Sequence, residues 1–367
     1  MKEVFLRSFT LLIISVCISL SCHLQAREKT YSVSDPPIRF EQGGIKKILI
    51  SGISGEVTVT PSASQDISIR VTRYLEGSFS ESMSDRERAD VLHQVVLKTI
   101  FTKDSFELRV LPSLNRADWV DWSAGGHASH RLGGPQTRIV ISAPPTMSLE
   151  IYLAHGDIQI THWKAKVVVV NVEGSHSFDD LAGSLILRTM LGSSKISNIV
   201  GNVGIDNFSS SLNIKNITGK TAVRTFSGDV KLKKLLGSVS LGTQKARLSS
   251  LETNGSMMIQ TGEGAVKVLE HRGALTGTSD SGRVEAQILG AVSAKLVSQS
   301  GSLVLKIPRS AQAHVSLSSL RGSVRTPPEI EVKKTEYGSI ARGTSPGRDS
   351  GRVKLRSESG DVTLKYF

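Results

Sequence analysis

The chain has 367 residues, of which 39% are hydrophobic and only 5% aromatic, with 33 glycines and 11 prolines. That balance excludes a disordered chain. It suits a strand-rich protein with many tight turns, either two average domains or one elongated repeat array. The formal net charge of +12 fits anionic partners such as nucleic acid, acidic polysaccharide or lipid headgroups, and equally fits a plain basic surface.

Lys2 and Arg7 precede an apolar stretch, SFTLLIISVCISLS at 8–21, which is too short to span a bilayer. This reads as an export signal. Cys22 follows Ser19-Leu20-Ser21 and resembles a bacterial lipoprotein box, although Leu20 stands two residues before the cysteine where the usual pattern has leucine three before. Cleavage after Leu24-Gln25-Ala26 is the alternative and leaves a mature protein without a lipid. The sequence therefore predicts either a signal over 1–22 with lipid attachment at Cys22, or a periplasmic chain starting after Ala26. The only cysteines are Cys17 and Cys22, so the mature domain holds neither a disulfide nor a cysteine metal site.

Residues 29–150 predict an N-terminal β cap. KKILISG, GEVTVT and DISIRVT read as short strands. Ser84-Asp-Arg-Glu87 reads as a capping box, placing a short helix among the strands. Residues 113–136 form a loop rich in Gly, His, Trp and Arg, and strand resumes at 138–143.

From Gly156 onward, steps of nine land on Gly156, Ala165, Gly174, Gly183, Gly192, Gly201, Ser210, Gly219, Gly228, Gly237, Ala246, Gly255, Gly264, Gly273, Gly282 and Ala291. Two and four residues past most beats the chain is apolar, as at Val230 and Leu232 or Val239 and Leu241. Such alternation marks a strand with one buried face. Seven past the beat stands a third apolar residue, in order Trp163, Val172, Leu181, Met190, Ile199, Phe208, Ile217, Phe226 and Leu235, expected as inward anchors. A single nine-mer cannot bury its own apolar face, but stacked copies can. The fold class predicted is all-β, a β-solenoid.

The third position past each beat sets the coil length. On alternate beats it reads Gln159, Ser177, Lys195, Asn213, Lys231, Ser249, Lys267 and Glu285. On the others it reads Val168, Ile186, Gly204, Ala222, Ser240, Met258, Thr276 and Ala294. One series is polar and the other small or apolar. The repeating unit is therefore two beats, a coil of about 18 residues with two short strands and two unlike outer faces. The solenoid domain is predicted over 151–367. Beyond 301 the period slips, 326–349 reads as a loop rich in Pro, Gly and charge, and beats at Gly351 and Gly360 close the C-terminal end.

The phrases Ser227-Gly228-Asp229-Val230, Ser281-Gly282-Arg283-Val284, Ser300-Gly301-Ser302-Leu303 and Ser359-Gly360-Asp361-Val362, with the early Gly55-Glu56-Val57 beat, resemble the bacterial β-strand-repeat family named for adhesins, a domain of unknown function. The resemblance runs over roughly 40–367. It implies an exported right-handed β-helix-like fold, often tethered to an envelope, and carries no catalytic residues.

The search for chemistry yields little. Gly343-Thr344-Ser345-Pro346-Gly347 fits a nucleophile elbow but sits in a loop with proline after the serine. His155 and Asp157 share a strand face near His162, without further ligands. His127 and His130 lie with Asp118, Trp119, Asp121 and Trp122 in the one aromatic-rich loop outside the array. Aspartate falls on too few beats for a calcium roll, and no cofactor or metal site is expected. The lead is a ladder of lysines, Lys195, Lys231 and Lys267, joined by Lys215 and Lys233 on the same side. Such a ladder suits an anionic glycan, a lipid headgroup or an acidic partner in the envelope. Aromatic interleaving for nucleic acid is absent, so nucleic acid is not expected. The reading is a non-enzymatic envelope protein. The competing reading is a carbohydrate-active β-helix enzyme acting on acidic polysaccharide.

Overall fold

A computed structural model describes residues 31–75, 83–112, 135–347 and 351–367. The described residues hold 27 β-strands and one helix, and the chain divides into two compact units. In the smaller unit, Tyr31–Ser34 pairs antiparallel with Thr72–Leu75. The helix Asp85–His93 is N-capped by Ser84, whose hydroxyl accepts from the Glu87 amide while the Glu87 carboxylate accepts from the Ser84 amide. Arg73 pairs with Asp35 and donates to the carbonyls of Leu92 and Val95.

The larger unit is a β-solenoid whose coil is two nine-residue beats long. In one sheet, here sheet I, Val167 pairs with Leu185, Leu185 with Val203, Val203 with Thr221 and Thr221 with Val239, all parallel. In sheet II, Ile158 pairs with His176, Leu212 with Val230 and Val230 with Leu248. Every coil gives one strand to each sheet, and the alternating side chains close a core between them. Trp163, Phe106 and Phe178 are its largest fully buried members.

Glycine keeps the turns in register because successive coils touch backbone to backbone. Gly237 has φ +129°, and a Cβ there would lie 2.2 Å from the Gly219 carbonyl oxygen of the coil before. Only a residue without a side chain admits that approach.

Three residues before the beat, the same bend takes a second left-handed residue that is not glycine. His162, Asp180, Asn198, Asn216, Lys234, Glu252 and Glu270 recur once per coil, all with φ between 53° and 57°. Left-handed backbone costs an L-residue roughly 1–2 kcal/mol. Contacts along the column offset part of that cost. His162 Nδ1 donates to Asp180 Oδ2 (2.5 Å), Asn216 Nδ2 donates to Asn198 Oδ1 (2.8 Å), and Lys234 lies 3.8 Å from Glu252.

The third apolar position does not behave alike in the two sheets. In sheet II, Trp163, Leu181, Ile199, Ile217 and Leu235 are buried as expected. In sheet I, Val172, Met190, Phe208 and Phe226 face outward, Phe208 half exposed at 50%. Their inward places belong to the residues before them: Asn171, Thr189, Asn207 and Thr225, continued by Thr243, Thr261 and Ser279, all buried. The turn there leaves carbonyls aimed into the core, and an apolar side chain would strand them. Polar ones donate instead: Thr225 to the Ser227 carbonyl (2.8 Å), Thr261 to Gly264 (2.9 Å) and Ser279 to Gly282 (2.6 Å).

The period slips at one inserted residue. Val266 pairs with Val284, one full coil on, but Leu275 pairs with Ala294, a coil and one residue on. Gly290, at φ +78° with nothing within 4 Å of a notional Cβ, carries the bulge. Ala294, expected outward, is therefore buried, and Lys295 stands opposite Thr276.

Both ends depart from sequence order. At the C-terminal end, Ala294 pairs with Val353 and Val353 with Val315, while Leu303 pairs with Val362 and Val362 with Val324. The last beats thus form an inner coil slotted between 292–307 and 313–325. They do not close the end. The predicted loop 326–349 instead contains a hairpin, Val332–Thr335 with Gly338–Thr344, whose second strand pairs antiparallel with Ala313–Ser319 and covers that edge. The N-terminal end repeats the device. Ile48 pairs with both Phe106 and Leu149, and Val57 with both Ile139 and Ile158. Residues 47–61 are a coil inserted between the strands at 105–110 and 138–143 on one side and 148–163 on the other. Much of the expected cap is therefore solenoid with the same cross-section. One of these coils is assembled from separate chain segments, 105–110 and 138–143, so no run of nine-residue beats announces it.

Candidate polyanion-binding face

The outward residues of sheet II occupy straight columns. One runs Ser177, Lys195, Asn213, Lys231, Ser249, Lys267, Glu285, each paired with the next. Lys195, Lys231 and Lys267 are exposed and stand two coils apart, about 10 Å at ordinary strand spacing. Lys215 and Lys233 are paired neighbours two residues further along their strands. Lys233 is less free than the column lysines, since it lies 4.0 Å from Glu252, which Lys234 also approaches.

Two cations escaped the sequence reading. Arg247 and Arg283 project two residues before Ser249 and Glu285, beside the lysine column. With Lys231 and Lys267 they line a groove of about 450 Å³ whose floor includes Ser249 and Ala265. Both carboxylates in it are engaged: Asp229 lies 3.4 Å from Arg247, and Glu285 accepts from Lys306 (2.8 Å) and Arg283 (3.4 Å). The Lys306 hydrogen bond is the chief reason that Glu285 titrates below its usual range. The arginines were visible in the sequence one position past a beat, a column left unread.

Toward the N-terminal end of the same sheet the cations thin out to Lys195 and short polar side chains take over, with Glu56 and Asp157 the carboxylates among them. Gln159, Ser175, Ser177, Ser193, Ser211 and Asn213 line an open trough of about 610 Å³ that also holds Lys195. Asp157 accepts from the Ser175 amide (2.7 Å).

Beneath this shelf lies an inward polar cluster. Asn171 Nδ2 donates to the Gly156 carbonyl and to His176 Nε2 (3.0 Å), and His176 Nδ1 donates to Ser194 (3.0 Å). Burial pushes the His176 imidazole down to about 4. Burial also lowers His271, which accepts from Thr253 and donates to the Ala274 carbonyl. A histidine whose folded pKa is depressed contributes stability above its unfolded pKa near 6.5, and loses it as pH falls toward the folded value. The protein is expected to lose on the order of 3 kcal/mol through His176 between pH 6.5 and 4. His176→Gln should flatten the urea midpoint across that window. An equal slope in both proteins would show that His176 is not the titrating group.

Among the described residues, the other sequence candidates do not assemble a reactive centre. Ser345 is buried; its hydroxyl donates to the Ala311 carbonyl and accepts from the Ala313 amide, both at 2.8 Å. His155 sits 3.5 Å from Glu173, while Asp157 serves the Ser175 amide. Among the described residues no three His, Cys, Asp or Glu side chains converge on a metal position. Cys22 and the loop with Asp118, Trp119, Asp121, Trp122, His127 and His130 lie outside the described residues.

The solved structures that match include two that cover nearly the whole chain. One is a "putative cell adhesion protein" of Clostridium sporogenes, at 10% identity over 92% of this chain and 100% of that one, with a TM-score of 0.20. The other is a "putative adhesin" of Bacteroides fragilis, at 12% identity over 93% and 99%, with a TM-score of 0.23. No curated protein matches. The model of the Toastrack family, a domain of unknown function (DUF4097), matches residues 121–365. That match spans most of the array of stacked two-beat coils, and the chain belongs to the Toastrack family.

Proposed function

We propose that this protein is a non-enzymatic, exported module of the cell envelope, an adhesin or surface scaffold, that binds anionic ligands on the outer face of sheet II. One observation carries the reading: lysines recurring at a fixed coil interval stand exposed on a regular sheet, and the acids beside them are tied to basic partners. Family membership and the N-terminal export pattern support it. Changing Lys195, Lys231 and Lys267 together to Gln is expected to weaken polyanion binding at least tenfold and to reduce its salt dependence. Binding unchanged by the triple substitution removes the proposal. Location follows from the N-terminus, with a lipid on Cys22 in an outer-membrane or envelope lipoprotein, or a periplasmic protein after cleavage past Ala26. Labelling with radioactive fatty acid should mark the wild type and not Cys22→Ala. Equal absence of label in both would favour cleavage after Ala26.

A further inference from the structure

We propose that the ligand of sheet II is a linear acidic polysaccharide lying along the solenoid axis, its acid groups on Lys231, Arg247, Lys267 and Arg283 and its hydroxyls on the serine shelf. This rests on the preceding functional reading and adds the ligand class, its direction and a second set of residues.

The cations follow a zigzag. Four successive coils each supply one, alternating between two adjacent columns: Lys231, Arg247, Lys267, Arg283. Beside Arg247 on its strand stands Ser249, and beside Lys267 stands Ala265, while Asp229 and Glu285 take the places beside Lys231 and Arg283. Counting Lys306, five cations face two acids, Asp229 and Glu285, which leaves a local charge of +3. A positive charge at each coil, roughly every 4.8 Å along the axis, suits a polymer with acid groups at regular intervals. It does not suit a single bound anion.

The shelf decides between kinds of polyanion. The same two columns continue toward the N-terminal end as Ser175, Ser177, Ser193, Ser211 and Asn213; Lys195 lines that trough together with two carboxylates, Asp157, which accepts from the Ser175 amide, and Glu56, which pairs with Arg138. Short hydroxyls and amides can both donate and accept, so they suit a chain of ring hydroxyls. A polyphosphate presents charge along its whole length and gains little from neutral hydroxyls. A headgroup layer would reward cations spread over the whole face and would engage Lys215 and Lys233 as well, whereas the four groove cations keep to two adjacent columns along the axis.

The test compares three probes on one protein: polygalacturonate oligomers, inorganic polyphosphate and phosphatidylglycerol vesicles. Arg247→Gln with Arg283→Gln is expected to weaken polygalacturonate at least tenfold. Ser193→Leu with Ser211→Leu, both at outward positions, is expected to weaken polygalacturonate about fivefold and leave polyphosphate unchanged. Circular dichroism and thermal melting of each variant confirm that the fold is kept. Wild type that binds polyphosphate or vesicles but not polygalacturonate overturns this inference alone. So does a shelf variant that binds all three probes as wild type does. Wild type that binds none of the three overturns the functional reading beneath it.

Discussion

Gly237→Ala is expected to cost about 3–5 kcal/mol, through an overlap with the backbone of the neighbouring coil and a strained φ acting together. The added methyl carbon would sit 2.2 Å from the Gly219 carbonyl oxygen at a backbone φ of +129°. That oxygen belongs to the neighbouring coil and cannot withdraw without parting strands paired on both sides of the turn. Gly290→Ala is the matched control. Its φ of +78° is also unfavourable for alanine, but nothing lies within 4 Å of its Cβ, so it should cost only about 1–2 kcal/mol. Urea midpoints at unchanged m measure the difference. Equal losses would show that backbone angle alone, and not close coil stacking, demands the glycines.

Trp163→Ala should cost about 3–5 kcal/mol. The side chain is fully buried, and its indole N–H donates to the Met147 carbonyl at 2.8 Å. Removing it opens a cavity and leaves that carbonyl unpaired. Phe208→Ala, at the equivalent place in sheet I, should cost less than about 1 kcal/mol. Its ring is half exposed and stacks on Phe226 with centroids 5.0 Å apart. The nine-residue phrase makes the two positions look alike, so comparable losses would restore the idea of a uniform inward anchor.

The reason for this asymmetry is a hydrogen-bonding demand that hydrophobic periodicity does not report. Each coil turns once through a left-handed polar residue and once past a turn whose carbonyls point inward. Only the second turn needs a Thr, Ser or Asn in the core. Two signals for it were present in the chain. The left-handed column reads His, Asp, Asn, Asn, Lys, Glu, Glu without one apolar residue, and the inward column reads Asn, Thr, Asn, Thr, Thr, Thr, Ser. Both become visible when the chain is aligned by whole coils instead of half-coils.

The binding face was partly legible for a similar reason. Lys195, Lys231 and Lys267 share one offset from the glycine beat, so a column reading finds them. Arg247 and Arg283 sit at another offset, and the groove they form with the lysines depends on adjacent strands standing side by side. Asp229 stands next to Arg247 in its own column on the strand before, and Glu285 is reached by Arg283 from two residues away on the same strand.

Local pattern suffices for the repeat, the two unlike sheets and the length of the coil. Those follow from alternation along each strand and from glycine wherever one backbone crosses another. How the ends are finished is a matter of packing between distant segments. Residues 47–61 and 351–366 each enter between coils that follow one another in the chain. Parallel strand pairing is nearly indifferent to which segment supplies the next coil, provided that its apolar face matches and its edge is covered. No local pattern therefore records the order in which coils stack. That order emerges when the closing hairpin and the inserted coils together leave the fewest unpaired strand edges.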